Sequence, residues 1–349
     1  KESSAASDVY KRQGLINLPK FYADFTGSGG RTCSKDVKEE LRKLKAENVD
    51  GVVIDLRMNG GGSLQDVVDM GGLFVDKGPI VQVKQKSSVP EILSDDDDGE
   101  LFYDGPLVIL VSQFSASASE ILAAAMQDYK RAIIIGTPTY GKGTVQSFVS
   151  LDQLLPSQLQ HIRPLGAVKI TISNFYRING GSTQQKGVTP DIIIPTEFNY
   201  AYDRERKAPY SLPWNEITSA TYKPLNGYIG NLATIKVNSE KRVKTNSTFQ
   251  LIEDKALYLK NSQDDLKYPL ALANYQTKRK QDELDAKKYE KIQKEDIHFL
   301  KIAPIQEDWK KIESDSSRTV LVEAWHKKLK KDATVAEALK IIDEIIEKK

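Results

Sequence analysis

Three short apolar runs, separated by helical patterns, dominate the first half of the chain. The runs GVVIDLR (Gly51–Arg57), PLVILVS (Pro106–Ser112) and RAIIIG (Arg131–Gly136) are typical of strands that are buried on both faces. Before the first run and between the first and second, apolar residues recur at helical spacing on two segments: Val37, Leu41, Leu44, Leu64, Val67 and Val68. Strands that alternate with helices predict a parallel, right-handed α/β core.

The character of the chain changes after GVTPDIIIP (Gly187–Pro195), where Lys, Glu, Asp and Gln become frequent at helical spacing. The stretch Thr277–Asp296 carries charges of both signs, which predicts a solvated helix rather than a nucleic-acid-binding patch. Thr334 and Glu337 have the spacing of a capping box. An apolar stripe then follows, which we expect to dock on the same chain: Val335, Leu339, Ile342 and Ile346.

The length of 349 residues favours about two domains. We expect residues 1–13 to be a polar non-core leader or a truncation boundary, and residues 14–200 to form the α/β core. Residues 201–349 are expected to form a mainly helical C-terminal domain.

Composition narrows the classes of partner. Lys plus Arg (50) nearly balance Asp plus Glu (48), so the net charge of +2 gives no reason to expect nucleic acid or an anionic membrane. The single cysteine, Cys33, excludes an internal disulfide. No apolar run reaches the roughly 18 residues of a membrane span.

Metal-dependent and histidine-dependent hydrolysis both lack a motif. The three histidines, His161, His298 and His326, are widely separated in sequence, and neither an HExxH nor a CxxC pattern is present. No GxSxG elbow supports a serine-histidine-acid triad. We therefore expect the histidines to be ordinary surface or packing residues and expect no bound metal.

GTPTYGKG (Gly136–Gly143) almost fits a phosphate-binding loop. The residue after Lys142 is Gly143, however, so the hydroxyl that should hold magnesium is missing. The lysine should also open a helix, whereas GTVQSFVSL alternates and is rich in β-branched residues, as a strand is. The sequence therefore disfavours nucleotide binding.

The remaining candidate for the chemistry is a nucleophilic serine whose base is a lysine. FSASASEILAAAMQDY (Phe114–Tyr129) places three serines between a buried strand and a helix, and the residue types alone leave Ser115, Ser117 and Ser119 all eligible. Burial without a carboxylate partner lowers the pKa of a lysine, and a neutral amine can deprotonate a serine hydroxyl. Lys142, in an uncharged GKG context, suits this role. Gln146 has the same strand parity and could hold the amine without adding a charge.

Two further features of the pattern suit acyl transfer. A nucleophile at the start of a helix lies at its positive end, where backbone N–H groups can receive an oxyanion. NGGG (Asn59–Gly62) follows a parallel strand, at the edge where α/β folds place ligands, and its glycines allow amides to point into a cleft.

Five motifs together closely resemble the carboxyl-terminal processing proteases, specifically the tail-specific protease branch: DLRMNGGGSL, FSASASEILAAAMQDY, GTPTYGKGTVQ, FYRINGGSTQQKGVTPDI and LPWNEITSATY. The resemblance implies a serine-lysine endopeptidase with a crotonase- or ClpP-like α/β core, a helical C-terminal domain and no cofactor. It also implies protein substrates with apolar C-terminal tails, a possible adaptor protein and a location in the periplasm or cell envelope of a Gram-negative bacterium.

The resemblance assigns roles to individual residues. It makes Ser117 the nucleophile and Lys142 the base, and Gln146 orients the lysine. The expected oxyanion donors are the backbone N–H groups of Ala118 and of Gly61 or Gly62. Three further residues match positions that matter in the family and are expected to support the site: Glu120, Asp128 and Thr139.

One departure from the family concerns substrate capture. Only about thirteen residues precede the first predicted core strand, so the PDZ domain of the family has no place before it. The expectation is that this chain is the catalytic and C-terminal part of a longer enzyme. The alternative is a catalytically weak scaffold that binds peptides.

Overall fold

The computed structural model describes residues 2–7, 11–24, 29–95, 101–200, 204–265, 267–293, 296–297 and 299–347; for residues 2–7 and 293 it describes the backbone. Eleven strands lie in this part of the chain: β1 (Glu2–Ser7), β2 (Arg12–Asn17), β3 (Gly51–Asp55), β4 (Pro79–Lys84), β5 (Glu91–Ser94), β6 (Leu107–Val111), β7 (Ile133–Gly136), β8 (Thr144–Ser150), β9 (Ala167–Tyr176), β10 (Ile192–Ile193) and β11 (Lys301–Pro304).

Nine α-helices lie in the same described ranges. Three of them belong to the first half of the chain: α1 (Cys33–Ala46), α2 (Leu64–Gly72) and α3 (Ala118–Asp128). The other six follow residue 230: α4 (Leu232–Thr245), α5 (Ser247–Asp264), α6 (Leu272–Tyr289), α7 (Gln306–Glu313), α8 (Ser316–Leu329) and α9 (Ala333–Ile346). The predicted combination of an α/β core with a mainly helical C-terminal region is confirmed.

The main sheet has the strand order β10-β7-β6-β3-β2-β1-β11. The five strands from β10 to β2 run parallel, whereas β1 is antiparallel to both of its neighbours. The strands β3, β6 and β7 are neighbours, so the loops that follow them leave the sheet side by side at its carboxyl edge. These loops contain NGGG, SASAS and GKG, and the parallel pairing therefore brings the three motifs together.

A smaller sheet, β5-β4-β9-β8, is antiparallel. Its strand β4 pairs with the last residues of β9, and Phe175 and Val81 belong to the hydrophobic core around α3. The distal parts of β8 and β9 extend beyond this core as a two-stranded ribbon. Several large apolar side chains of the ribbon are exposed: Phe148, Val168, Ile170 and Ile172.

The main sheet is buried on both faces because alternate side chains of its central strands enter two different cores. Val52 and Ile54 of β3 pack with α1, α2 and α3, whereas Val53 packs with α9. Strand β6 alternates in the same way. This arrangement explains the unbroken apolar runs in the sequence, since a strand that is covered on both faces has no polar side.

Helix α9 covers the second face, as the apolar stripe predicts. Val335, Leu339 and Ile342 are buried in the core that includes β3 and β6. The start of this helix differs from the prediction. Asp332, not Thr334, is its N-cap, and Asp332 Oδ1 accepts hydrogen bonds from the N–H groups of Thr334 (3.0 Å) and Val335 (3.1 Å).

The segment predicted as a non-core leader, residues 1–13, is partly strand. Residues 2–7 form β1, which pairs with β2 on one side and with β11 on the other, and β2 begins at Arg12. The polar run ESSAAS has no apolar alternation that could indicate a strand, and one of its two pairing partners, β11, is distant in sequence. The boundary predicted at residue 200 stays a prediction, and the chain beyond it supplies β11 and the cover of the second face.

We expect Ile342→Ala to destabilise the fold by about 2–5 kcal/mol, because the side chain is fully buried against Gly51 of β3. A Cβ atom at Gly51 would lie 2.5 Å from Ile342 Cγ2, which shows how closely the helix approaches the strand. Urea denaturation measures the change. Leu321→Ala, at an exposed position on α8, is the control and is expected to shift stability by less than about 0.5 kcal/mol. Equal effects of the two substitutions would contradict the packing described for α9.

Candidate active site

The serine loop joins β6 to α3 and holds Ser117 in an unusual backbone conformation. Ser117 precedes the first residue of α3 and has φ 58° and ψ −116°. A positive φ is strained for a residue with a Cβ atom, and such strain concentrates at functional sites. Ser117 is only partly buried, so its side chain is accessible at the amino end of the helix.

The other two serines of the loop are structural. Ser115 and Ser119 are fully buried. The Ser115 hydroxyl donates to the carbonyl of Leu56 (2.8 Å), and the Ser119 hydroxyl donates to the carbonyl of Asn59 (2.7 Å). Both bonds fasten the serine loop to the chain that follows β3. The residue types left three serines eligible, and the geometry favours Ser117 among them.

The glycine loop lies directly against the serine loop. A Cβ atom at Gly61 would lie 2.8 Å from Ser117 Cβ and 3.1 Å from Ala118 N, so a side chain has no room there. The Gly61 N–H donates to Asn59 Oδ1 (2.9 Å). Within the described residues the Gly62 N–H donates no hydrogen bond, and Gly62 has φ 151°. Of the two glycines proposed from the sequence, Gly62 therefore has the donor that remains available.

Asn59 connects three segments of the site, and the sequence reading assigned it no role. Its side-chain N–H donates to the carbonyl of Leu18 (2.8 Å), and its Oδ1 accepts from Gly61. Its own carbonyl accepts from the Ala116 N–H (3.1 Å) and from the Ser119 hydroxyl. The signal was present in the sequence, since an asparagine before a glycine run can fold back on the backbone two residues later.

The lysine loop joins β7 to β8 and is packed on residues 182–185. Gly141, with φ 97°, lies against the backbone of Gln185, and the Gly143 N–H donates to Gln184 Oε1 (2.8 Å). The Lys142 carbonyl accepts from the Thr183 hydroxyl (3.0 Å). The motif GGSTQQKG therefore supports the backbone on both sides of Lys142. Sequence reasoning missed this support because the contact spans about forty residues.

Glu120 joins the serine loop to the lysine loop. Its carboxylate is fully buried and accepts four hydrogen bonds. Oε2 accepts from the N–H groups of Ser117 (2.8 Å) and Lys142 (3.0 Å). Oε1 accepts from the Thr139 hydroxyl (2.6 Å) and the Gly141 N–H (2.8 Å). Burial raises the pKa of Glu120 to about 7, and the bonds from Thr139 and the backbone oppose this rise.

Lys142 is partly buried, and burial lowers the pKa of its amine below the usual value. The positive charge of Lys169 on β9 lowers this pKa further, whereas Glu205 and Glu120 raise it. The Glu120 carboxylate binds the backbone N–H of Lys142, and no ion pair involving the Lys142 amine occurs in the described chain. The net effect lowers the pKa of the amine, which is the direction that a lysine base requires.

The structure gives Gln146 no hydrogen bond to Lys142 among the described residues. Lys142 lies in the turn that Glu120 holds, and β8 begins only at Thr144, so strand alternation does not extend back to the lysine. Gln146 is exposed, and no hydrogen bond joins the two side chains in the described part of the chain. Its orienting role stays a prediction.

Asp128 and Thr139 differ in their relation to Glu120, because only Thr139 is hydrogen-bonded to it. Thr139 is fully buried; its hydroxyl donates to Glu120 and accepts from the Val188 N–H (2.7 Å). Asp128 ends α3, roughly 15 Å along the helix from Ser117. It forms an ion pair with Arg177 (2.6 Å), which ties α3 to the end of β9. Thr139 therefore contacts the site, whereas Asp128 anchors α3, the helix that begins next to Ser117.

Three further observations bear on the predicted chemistry. Among the residues that the structure describes, no group of three or more His, Cys, Asp or Glu side chains is arranged to hold a metal ion. His161 is in an exposed 3₁₀ turn and His326 is in α8, whereas His298 lies outside the described residues. None of the helices described is long and apolar enough to cross a membrane.

Comparison with known sequences defines the class of protein. Residues 12–194 match peptidase family S41, and residues 199–347 match the C-terminal domain of tail specific protease. The chain therefore belongs to peptidase family S41.

Two sequence relatives agree with this assignment, and one solved structure is similar to part of the chain. Over 79% of this chain and 38% of its own length, the "Tail-specific protease" of Haemophilus influenzae is 39% identical. The "Carboxy-terminal-processing protease" of Bartonella bacilliformis is 35% identical over 52% of this chain and 38% of its own. A solved structure, the photosystem II D1 C-terminal processing protease, is 28% identical with a TM-score of 0.43, over 52% of this chain and 42% of its own. The chain spans under two fifths of the length of these two sequence relatives.

We expect Lys142→Met to stabilise the protein at neutral pH. A lysine whose folded pKa is lowered binds a proton more weakly than the unfolded chain does, so its folded state loses stability as the pH falls from the unfolded value of 10.5 through the folded pKa. The gain from methionine should therefore be present at pH 7 and vanish above about pH 10.5.

Thermal unfolding between pH 6 and 11 measures this difference. Lys35→Met, at an exposed position on α1, is the matched control and should show no pH-dependent gain. A stability difference between Lys142→Met and the parent protein that does not change with pH would contradict the burial effect on the amine.

Proposed function

We propose that the chain forms the catalytic part of a serine endopeptidase in which Ser117 is the nucleophile and Lys142 is the general base. One observation carries the proposal. Glu120 Oε2 accepts hydrogen bonds from the backbone N–H groups of both residues, so their nitrogen atoms are separated by no more than two hydrogen-bond lengths. Membership of peptidase family S41 supports the same reading.

The proposed reaction begins with proton transfer from the Ser117 hydroxyl to the neutral Lys142 amine, while the serine oxygen attacks the scissile carbonyl carbon. The tetrahedral oxyanion accepts hydrogen bonds from the N–H groups of Ala118 and Gly62. The Lys142 ammonium then gives its proton to the leaving amine as the peptide bond breaks. Lys142 then takes a proton from water, whose oxygen attacks the acyl carbon. As the bond from that carbon to the serine oxygen breaks, the Lys142 ammonium returns the proton to this oxygen, which releases the carboxylic acid and restores the Ser117 hydroxyl.

The remaining residues have supporting roles in this proposal. Glu120 and Thr139 hold the serine and lysine loops together, and Asp128 anchors α3. We retain Gln146 as the residue that orients the lysine, on the strength of the sequence resemblance alone. Gly61 shapes the oxyanion site rather than donating to it, because its N–H is bound to Asn59.

The substrate class and location are wider proposals. The name of the H. influenzae relative, "Tail-specific protease", supports protein substrates that are recognised through their C-terminal tails. We infer that these tails are apolar, that an adaptor protein assists their delivery, and that the enzyme acts in the periplasm or cell envelope of a Gram-negative bacterium. Recovery of the enzyme in a periplasmic fraction tests the location, and recovery in the cytosol would contradict it.

A peptide-binding scaffold is the second candidate. The ribbon formed by β8 and β9 exposes apolar side chains next to Lys142, as a surface that only binds extended peptides would. A scaffold has no need of the Ser117 hydroxyl, so the experiment below separates the two functions.

We expect Ser117→Ala and Lys142→Ala each to reduce cleavage of β-casein by about a thousandfold or more, because each removes a group that acts on the reacting atoms. Gel electrophoresis of timed digests measures cleavage. Ser157→Ala, at an exposed position in the loop between β8 and β9, is the control and should cleave like the parent protein. Unchanged cleavage in Ser117→Ala would sink the mechanism, and binding of casein without any cleavage would favour the scaffold.

The rate of cleavage should rise with pH as the Lys142 amine loses its proton. Because burial lowers the pKa of this amine, the midpoint of kcat/KM should lie below the value of 10.5 that is usual for lysine. A fluorogenic peptide assayed from pH 5 to 10 gives the profile. A rate that falls with increasing pH over this range would show that Lys142 acts in its protonated form.

A further inference from the structure

Arg57 lies between the carboxyl end of β3 and the glycine loop. Its N–H donates to Asp55 Oδ1 (3.0 Å), and its carbonyl accepts from the Ser112 hydroxyl at the start of the serine loop. The next residues, from Asn59 to Gly62, form the wall against which Ser117 and Ala118 pack. The position of Arg57 therefore affects the backbone that carries the proposed oxyanion donor of Gly62.

The Arg57 side chain is held between two carboxylates. Its Nε and Nη2 donate to Asp55 (3.0 and 2.6 Å), and its Nη1 and Nη2 donate to Asp332 (3.2 and 2.7 Å). Only 22% of the Arg57 side chain is exposed, which protects both ion pairs from solvent screening. Paired donors of this kind fix the orientation of a guanidinium as well as its charge.

Asp332 belongs to the region that matches the C-terminal domain of tail specific protease, whereas Arg57 belongs to the region that matches peptidase family S41. Asp332 also caps α9, through the N–H groups of Thr334 and Val335. Helix α9 is itself packed on β3 and β6. The carboxylate of Asp332 thus links the amino end of α9 to Arg57, which precedes the glycine loop.

We propose that Asp332 is a positioning residue for hydrolysis, which acts through Arg57 to fix the glycine loop and so to aim the Gly62 N–H at the oxyanion. The C-terminal region then takes part in the geometry of the active site and does more than cover the sheet. The inference rests on the proposed serine-lysine mechanism for its effect on rate, but its structural part, the coupling of Asp332 to the glycine loop, is measurable without catalysis.

Asp332→Ser tests the coupling with little disturbance of the fold. Serine is as good an N-cap as aspartate, so α9 should still begin at the same residue, and Arg57 keeps Asp55 as a partner. The matched control is Glu337→Gln on the same helix. Glu337 is also buried and forms an ion pair, but its partner is Arg242 (2.7 Å), which does not contact Arg57 or the glycine loop in the described chain.

We expect Asp332→Ser to lower kcat for a fluorogenic peptide by about tenfold with little change in KM, because a small displacement of one oxyanion donor weakens the transition state and leaves substrate binding intact. Glu337→Gln should keep the kcat of the parent protein even where it lowers Tm as much or more. A parent-like kcat in Asp332→Ser, or an equal fall in Glu337→Gln, would overturn the positioning role.

Hydrogen exchange of the backbone amides gives the second measurement. Peptides that cover residues 58–63 should exchange faster in Asp332→Ser and at the parent rate in Glu337→Gln. Unchanged exchange in Asp332→Ser would overturn the coupling, whatever the activity. If the parent protein itself does not cleave, faster exchange in Asp332→Ser would still support the coupling. The absence of cleavage by the parent protein would then count against the proposed mechanism alone.

Discussion

The geometry of the site depends on one buried carboxylate. Glu120 accepts two hydrogen bonds at each of its oxygens, and the four donors come from the serine loop and from the lysine loop. An ionised carboxylate has only acceptors to offer, so four donors can converge on it without conflict. An amide in its place would turn a donor toward two other donors. The charge that burial makes costly is therefore what keeps the two loops in register.

The sequence could predict the parts of the fold that depend on local pattern. The strands β3, β6 and β7 are visible as unbroken apolar runs because both of their faces are covered. Helix α9 is visible as an apolar stripe because only one of its faces is buried in the core. Strand β1 could not be predicted because its residues are polar, and β11 could not be predicted because it is short and its partner β1 lies near the opposite end of the chain. The cap of α9 was misplaced by two residues because two residue types suited the same role.

The features of the site also fall into those that local sequence patterns predict and those that depend on distant contacts. The motifs predict which loops meet, because neighbouring parallel strands end at the same edge of the sheet. The residue types alone could not distinguish Ser117 from Ser115 and Ser119, and only the family resemblance selected it. The hydrogen bonds that engage the hydroxyls of Ser115 and Ser119 add a structural reason to favour Ser117. The supports at Asn59 and at residues 182–185 depend on contacts between distant segments. The role of Gln146 stays a prediction, because β8 begins only at Thr144 and strand alternation therefore does not fix the side of the chain on which Lys142 lies.

The cover that α9 lays over the second face of the sheet also bears on how the protein is made. A ribosome completes β3, β6 and β7 long before it reaches residue 333. During that interval the apolar face of the sheet that α9 covers has no partner from this helix. Under the proposed coupling of Asp332 to the glycine loop, the proposed nucleophile Ser117 and base Lys142 reach their final geometry only after α9 has emerged, so the order of synthesis would delay the proposed hydrolytic chemistry until the chain is nearly complete.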